Sequence, residues 1–162
     1  MLATDIAVLR QRNRASPITQ YVPGQSGDEF SYRVVKWLEE NFGATMDNRS
    51  ACLAIIKRGG IAGVVIYSSY SGYSITMDIY APNCLNRSLF YHIVWYLFEN
   101  LKVKKVFGFV DSRNVKHQRL LAKLGVKEET RMKDYFAQGI DKIIYSAMRN
   151  DVERWIKLVK ED

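Results

Sequence analysis

The sequence predicts an α/β (α+β) fold: a mixed, mostly antiparallel central sheet with flanking helices and one parallel strand pair. Three observations predict it. An amphipathic helical segment leads into three apolar strand-like runs joined by tight turns. A helical segment that is apolar around most of its circumference then crosses to a strongly apolar strand run. A capped helix stopped by glycine leads into two last strands. A strand, a crossover helix and a further strand place a parallel pair beside the meander.

Taken in order, residues 1–27 are the least regular stretch. Thr4 is placed to cap a short helix through Arg12, and Pro17, Pro23 and Gly24 then favour an extended arm. Phe30, Val34, Trp37, Leu38 and Phe42 recur at helical spacing over 28–42. Asp28 and Glu29 stand at the positive end and Gly43 closes the segment. Strands follow at 52–57, 61–68 and 73–81, joined at Arg58-Gly59-Gly60 and at Ser69-Tyr70-Ser71-Gly72. In the third strand Ile75, Met77 and Ile79 face one side, and Thr76, Asp78 and Tyr80 the other.

Asn86 or Ser88 starts the next helix, which runs to about Asn100 and is deeply buried on its pattern. Val103 to Val110 form a strand suited to burial on both faces. Asn114 or Ser112 caps a helix to Leu124, stopped by Gly125. Val126 to Thr130 and Ile143 to Met148 are the last two strands. Residues 151–159 read as a short amphipathic helix.

The chain has 162 residues, 48% apolar and 25% charged, so it is long enough to bury its own core. No apolar run reaches the roughly 18 residues of a membrane span, and the first residues lack the pattern of a secretion signal. The two cysteines, Cys52 and Cys84, are too few for a disulfide framework, and with His92 and His117 they make no metal-ligand pattern. A cytoplasmic location with free thiols is expected. Net charge is +7. Residues 1–81 hold 8 basic and 7 acidic side chains, whereas residues 82–162 hold 16 and 10. The second half is therefore the place for an anionic partner. The densest run is Lys102, Lys104, Lys105, Arg113, Lys116 and Arg119, against Asp111 alone. Nucleic acid is not the expected partner, because no zinc pattern or aromatic stacking motif accompanies that run.

In such sheets ligands sit at the carboxyl ends of strands near a change in strand direction. Here those are the ends of strands 73–81 and 103–110, beside the start of helix 87–100. His117 is expected on the exposed side of its helix and His92 as a satisfied histidine within an apolar one. Cys52 is expected in the core.

Asn114-Val115-Lys116-His117-Gln118-Arg119-Leu120-Leu121-Ala122-Lys123-Leu124-Gly125-Val126 resembles the Asn-to-Leu-Gly-Phe helix of the GNAT-type N-acetyltransferase superfamily. Glu128-Glu129-Thr130-Arg131 and Asp141 to Met148 are similar to the segments that follow it there. Ile61-Ala62-Gly63-Val64-Val65, the Arg87, Tyr96 and Phe98 spacing, and Met148 followed by Trp155 resemble small bacteriophage-encoded acetyltransferase-like proteins.

The resemblance implies a GNAT-like domain over 28–162, with a splayed parallel strand pair and residues 1–27 as an arm or short helix. It implies an acetyl-CoA-dependent transfer of acetyl to an amine of a protein or small molecule. The chain would be phage-encoded and act in the host cytoplasm or the virion, with no membrane partner. The implied catalytic residues are Asp78 as base and Tyr80 as acid. Cofactor contacts fall to the backbone near Ile79 or Tyr80, to Asn86, Arg87 and Ser88 for the pyrophosphate, to Asn114, and to Arg113, Lys116 and Arg119 for the adenosine phosphates. Acceptor walls would come from about 1–43 and 131–142, with Tyr135 and Phe136 in one wall.

Two positions depart from the superfamily pattern. The loop Pro82 to Phe90 has no glycine, and Leu121 stands where many relatives carry tyrosine. They support the alternative of a catalytically inactive GNAT-fold assembly or interaction protein, with a virion or host protein as partner. Exposed Tyr70 and Tyr73 are available to an interface.

Overall fold

The computed structural model describes residues 19–25, 27–82 and 86–157. The expected helix near Thr4 lies outside them. The chain divides into two compact units, Met1–Ser69 with Asp78–Asn86, and Tyr70–Met77 with Arg87–Asp162.

The first unit begins with β1 (Thr19–Gln25), in the stretch expected to be an arm. It pairs antiparallel with β2 (Ala51–Lys57), Pro23 standing opposite Leu53. A terminal strand needs hydrogen bonds on one side only, so it tolerates a residue with no N–H. Helix α1 (Glu29–Phe42) follows the predicted boundaries because its signals are local. The Asp28 side chain accepts from the Ser31 N–H at 2.5 Å, and Gly43 returns its N–H to Glu39 and Leu38. Strand β2 pairs antiparallel with β3 (Gly60–Ser68), with one irregularity at Ile55/Ile56. The 3.6-residue stripe of α1 meets the 2-residue stripe of the strands: Val34 and Leu38 pack with Cys52, Ala54, Val64 and Ile66. Cys52 is buried as expected.

Strand β4 (Ser74–Tyr80) contributes to both units, Ser74–Met77 to the second and Asp78–Tyr80 to the first. In the second unit the strand order is β4-β5-β7-β6. β5 (Lys105–Asp111) runs parallel to β4, with a register from Ser74/Lys105 to Thr76/Phe107. β6 (Lys127–Ala137) and β7 (Ile140–Met148) form an antiparallel hairpin, and β7 lies antiparallel to β5. The fold is therefore the mixed, mostly antiparallel sheet that the sequence predicts, with flanking helices and, among the described residues, one parallel pair.

Helix α2 (Arg87–Trp95) passes into a π-helical turn, Tyr96–Asn100, so the predicted 87–100 helix changes its winding in the last turn. Leu89, Ile93, Val94, Tyr96, Leu97 and Phe98 are buried. Helix α3 (Val115–Leu124) ends at Gly125, which has φ 91°. A Cβ there would lie 2.5 Å from the Asp151 carbonyl oxygen, so both backbone angle and space select glycine. The last expected helix is a 3₁₀ turn, Arg149–Val152, followed by α4 (Glu153–Lys157). The Trp155 indole N–H donates to the Leu124 carbonyl at 3.1 Å and ties α4 to the end of α3.

Strand β5 corrects one expectation. It is buried on one face, not two. Val106 and Val110 are buried, while Phe109 is 39% exposed. No helix among the described residues is long and apolar enough to cross a membrane.

Candidate functional site

Strand β4 changes company along its length. Ser74 to Thr76 lie in the parallel register, and Asp78, Ile79 and Tyr80 follow beyond its end. All three are half-buried. Tyr80 is more enclosed than its alternating pattern suggested. It packs on the core formed by α1, β2 and β3. Its ring meets Phe42 edge to face at 5.2 Å, and Phe42 in turn lies 5.5 Å from Trp37. Burial raises the Tyr80 phenol pKa, and the nearby Asp78 charge raises it further. The phenol therefore stays protonated through neutral pH, as a weaker acid than a free tyrosine. Asp78 and Tyr80 are brought together as the sequence suggested.

Asn86, Arg87 and Ser88 are all exposed. Arg87 and Ser88 form the first turn of α2, which carries no acidic side chain. The positive end of the helix dipole is thus uncompensated from within. Asn83, Cys84 and Leu85 of the preceding loop lie outside the described residues. The Arg87 guanidinium rests 5.7 Å over the Trp155 ring, which also meets Phe90 edge to face at 5.2 Å and the Arg154 guanidinium at 5.1 Å. Reading the sequence did not connect Trp155 with Arg87, because the two are far apart in the chain. The His92 Nδ1–H donates to the Ser88 carbonyl at 2.7 Å, one turn back in its own helix.

The end of β5 holds the second group. Asn114 caps α3, its side-chain oxygen accepting from the His117 N–H at 3.1 Å. Arg113 grips Asp111 with Nε at 3.0 Å and Nη2 at 2.6 Å, and its own N–H also reaches that carboxylate. This pair holds Asp111 below the usual carboxylate range and Arg113 above its own. Arg113 is therefore committed to an internal partner. Lys116 and Arg119 are exposed on α3. His117 departs from its expected exposure. It is half-buried, and burial lowers its pKa. Leu121 packs against the cluster of Val110, Ile143 and Tyr145.

Tyr135 and Phe136 stand on the β6–β7 hairpin, 51% and 52% exposed, with rings edge to face at 5.0 Å. Asp141 accepts from the Asp134 N–H at 3.1 Å, and Asp134 accepts from the Gly139 N–H at 2.5 Å, which fixes the hairpin tip. The basic run 102–119 is not one patch. Lys102 and Lys104 precede β5 and Arg113, Lys116 and Arg119 follow it.

No protein-family model matches the sequence, and no curated protein matches it. Solved structures do match in fold. The spermidine/spermine N-acetyltransferase of Vibrio cholerae, solved with manganese ions, superposes with a TM-score of 0.64 at 16% identity, over 85% of this chain and 96% of that one. The spermidine N-acetyltransferase from the same organism, solved with CoA and spermine, gives 0.62 at 16% identity, over 85% and 99%. A protein from Desulfovibrio desulfuricans assigned to the GNAT family of acetyltransferases gives 0.60 at 13% identity, over 80% and 98%. The chain therefore has the fold of these acetyltransferases.

Proposed function

We propose that the chain is an acetyl-CoA-dependent N-acyltransferase that transfers acetyl to an amine of a small molecule or protein. One observation carries the reading. The parallel register of β4 and β5 stops at Thr76/Phe107, and Asp78 and Tyr80 come next on β4, on one face of the strand. The fold shared with acetyltransferases, one of them solved with CoA, supports it.

In the proposed reaction the amine nitrogen attacks the thioester carbonyl carbon. Asp78 accepts the amine proton, directly or through water. The oxyanion draws on a backbone N–H near Ile79 or Tyr80. The C–S bond breaks and Tyr80 gives its proton to the departing thiolate. Asn86, Arg87 and Ser88 at the start of α2 suit a pyrophosphate, and Asn114, Lys116 and Arg119 suit further phosphate or amide contacts. Arg113 contributes only by leaving Asp111. The hairpin aromatics Tyr135 and Phe136 supply part of an acceptor wall. Residues 28–162 carry the activity, in a cytoplasmic protein. Origin in a bacteriophage rests on sequence resemblance alone.

A second reading is a GNAT-fold interaction protein without activity. Two observations favour it: Arg113 is locked on Asp111, and Leu121 packs into an apolar cluster where a tyrosine acid would stand. Thiol release from acetyl-CoA, followed across polyamines, amino acids and lysine peptides, separates the two. The first reading expects release above the no-acceptor rate with at least one amine. No release with any of them supports the second.

A further inference from the structure

Strand β5 carries a feature that acetyl transfer does not use. Phe107 and Phe109 are two residues apart, so both rings project from the same face of the sheet. The opposite face is the buried one, where Val110, Ile143 and Tyr145 pack against Leu121. On the Phe face, β7 places Met148 opposite Lys105 and Lys142 opposite Asp111. Phe109, Met148 and Tyr135 are 39%, 40% and 51% exposed. Exposed aromatic and methionine side chains on one sheet face mark a contact surface.

Cations alternate with the rings. The Lys105 ammonium lies 4.9 Å from the centre of the Phe107 ring. The Lys142 ammonium lies 4.1 Å from Phe109 and 4.5 Å from Tyr135. The carboxylates of this face already have partners: Glu129 takes Lys105 at 2.8 Å and the Ser146 hydroxyl at 2.5 Å, and Asp111 takes Arg113. Among the described residues, the Lys142 ammonium is placed over the Phe109 and Tyr135 rings.

No stacking motif is legible beside the basic run in the sequence alone, but with both rings on one face of β5, Lys105-Val106-Phe107-Gly108-Phe109-Val110 resembles the strand motif with which RNA-recognition sheets stack bases. It matches at Lys105, Phe107, Gly108, Phe109 and Val110, and departs at Val106 and at Ser112. We propose that this face of β5, β7 and β6 binds single-stranded nucleic acid, with bases on Phe107 and Phe109 and a phosphate on Lys142.

The chemistry favours that ligand over an acidic protein. Two rings two residues apart on a strand are roughly 6.6 Å apart, so each can take one base of an extended strand. A base offers a flat π surface that displaces the ammonium from the ring, and its phosphate offers the ammonium a new site. An acidic peptide satisfies the lysines and leaves Phe109 unused. A duplex hides its base faces. This surface shares Tyr135 with the proposed acceptor wall and uses none of the residues assigned to acetyl transfer on β4 or at the start of α2.

The test is fluorescence anisotropy of the full chain with labelled oligo-uridine and oligo-deoxythymidine of about 12 nucleotides, a length within the range of such sites. A duplex of the same length is the control. Binding to either single strand, at least about tenfold tighter than to the duplex, supports the proposal. Phe109→Ala should weaken it about tenfold or more, and Phe109→Tyr should restore it. Lys142→Gln should reduce the salt slope by about 0.7. Phe109 and Lys142 are at the surface, so unchanged thermal melting confirms that the variants fold. The proposal is overturned by no binding at about 100 μM protein, by equal affinity for the duplex, or by an undiminished Phe109→Ala variant. Displacement by polyglutamate as effective as by unlabelled oligomer also overturns it.

Discussion

The Tyr80 ring meets Phe42 edge to face, with centroids 5.2 Å apart and planes at 61°. The contact joins the end of β4 to the end of α1 and holds the phenol beside Asp78. The two residues therefore differ in what their substitution removes. Tyr80→Phe keeps the ring and its contact with Phe42 and deletes only the hydroxyl. Stability should change by about 1 kcal/mol or less, whereas the thiolate loses its acid and turnover should fall about tenfold or more. Asp78→Asn should leave acetyl-CoA affinity intact and slow transfer by about 100-fold. Steady-state kinetics beside acetyl-CoA titrations check both. Turnover unchanged in either variant removes that residue from its role.

Gly125 ends α3 with φ 91°, and a Cβ on it would meet the Asp151 carbonyl oxygen. Gly125→Ala faces an unfavourable backbone angle and a contact with backbone that cannot move aside like a side chain. A loss of about 1–3 kcal/mol is expected. Denaturant unfolding should show a lower midpoint at unchanged slope. The Trp155 indole bond to Leu124 adjoins this site, so its fluorescence environment should loosen with it.

Burial pushes the Cys52 thiol up to about 12, and the Asp28 charge adds to the shift. In the unfolded chain a thiol titrates near about 8.5. Above that pH the unfolded chain gives up a proton that the folded chain keeps. This contribution to stability is whole below the unfolded value and shrinks as pH rises toward the folded one. Stability should therefore fall between about pH 9 and 12, and Cys52→Ala should flatten the first part of that fall, before the tyrosines titrate. A profile from denaturant midpoints checks it. Peptide mapping should also find Cys52 unmodified by thiol reagents at neutral pH until the chain is unfolded.

The elements whose signals are local were legible. Asp28 and Gly43 bracket α1, and Asn114 and Gly125 bracket α3, because caps act within a few residues of the ends they satisfy. β1 was not legible as a strand. Its pairing with β2 is set by residues some thirty positions away, and Pro23 is a poor strand former that a terminal position tolerates. β6 was read short because every residue along it is exposed, which leaves no buried alternation to detect. The π turn at Tyr96–Asn100 keeps the apolar pattern of an α-helix and so leaves no sign in the sequence.

The candidate site was legible in outline. Alternation along β4 put Asp78 and Tyr80 on one face, and topology marked the start of α2. What the chain order concealed was pairing. The charge run 102–119 promised one basic surface, yet β5 separates Lys102 and Lys104 from Arg113, Lys116 and Arg119, and Arg113 is spent on Asp111. The neighbours of Tyr80 and Arg87, namely Phe42 and Trp155, come from distant segments that no local pattern links.

The most direct test of acetyl transfer is calorimetric titration of the full chain with acetyl-CoA. Saturable heat with a micromolar dissociation constant is expected, reduced by Arg87→Glu and unchanged by Asp78→Asn. No heat at high micromolar acetyl-CoA would contradict the enzyme reading and leave an acetyltransferase fold that no longer takes its co-substrate.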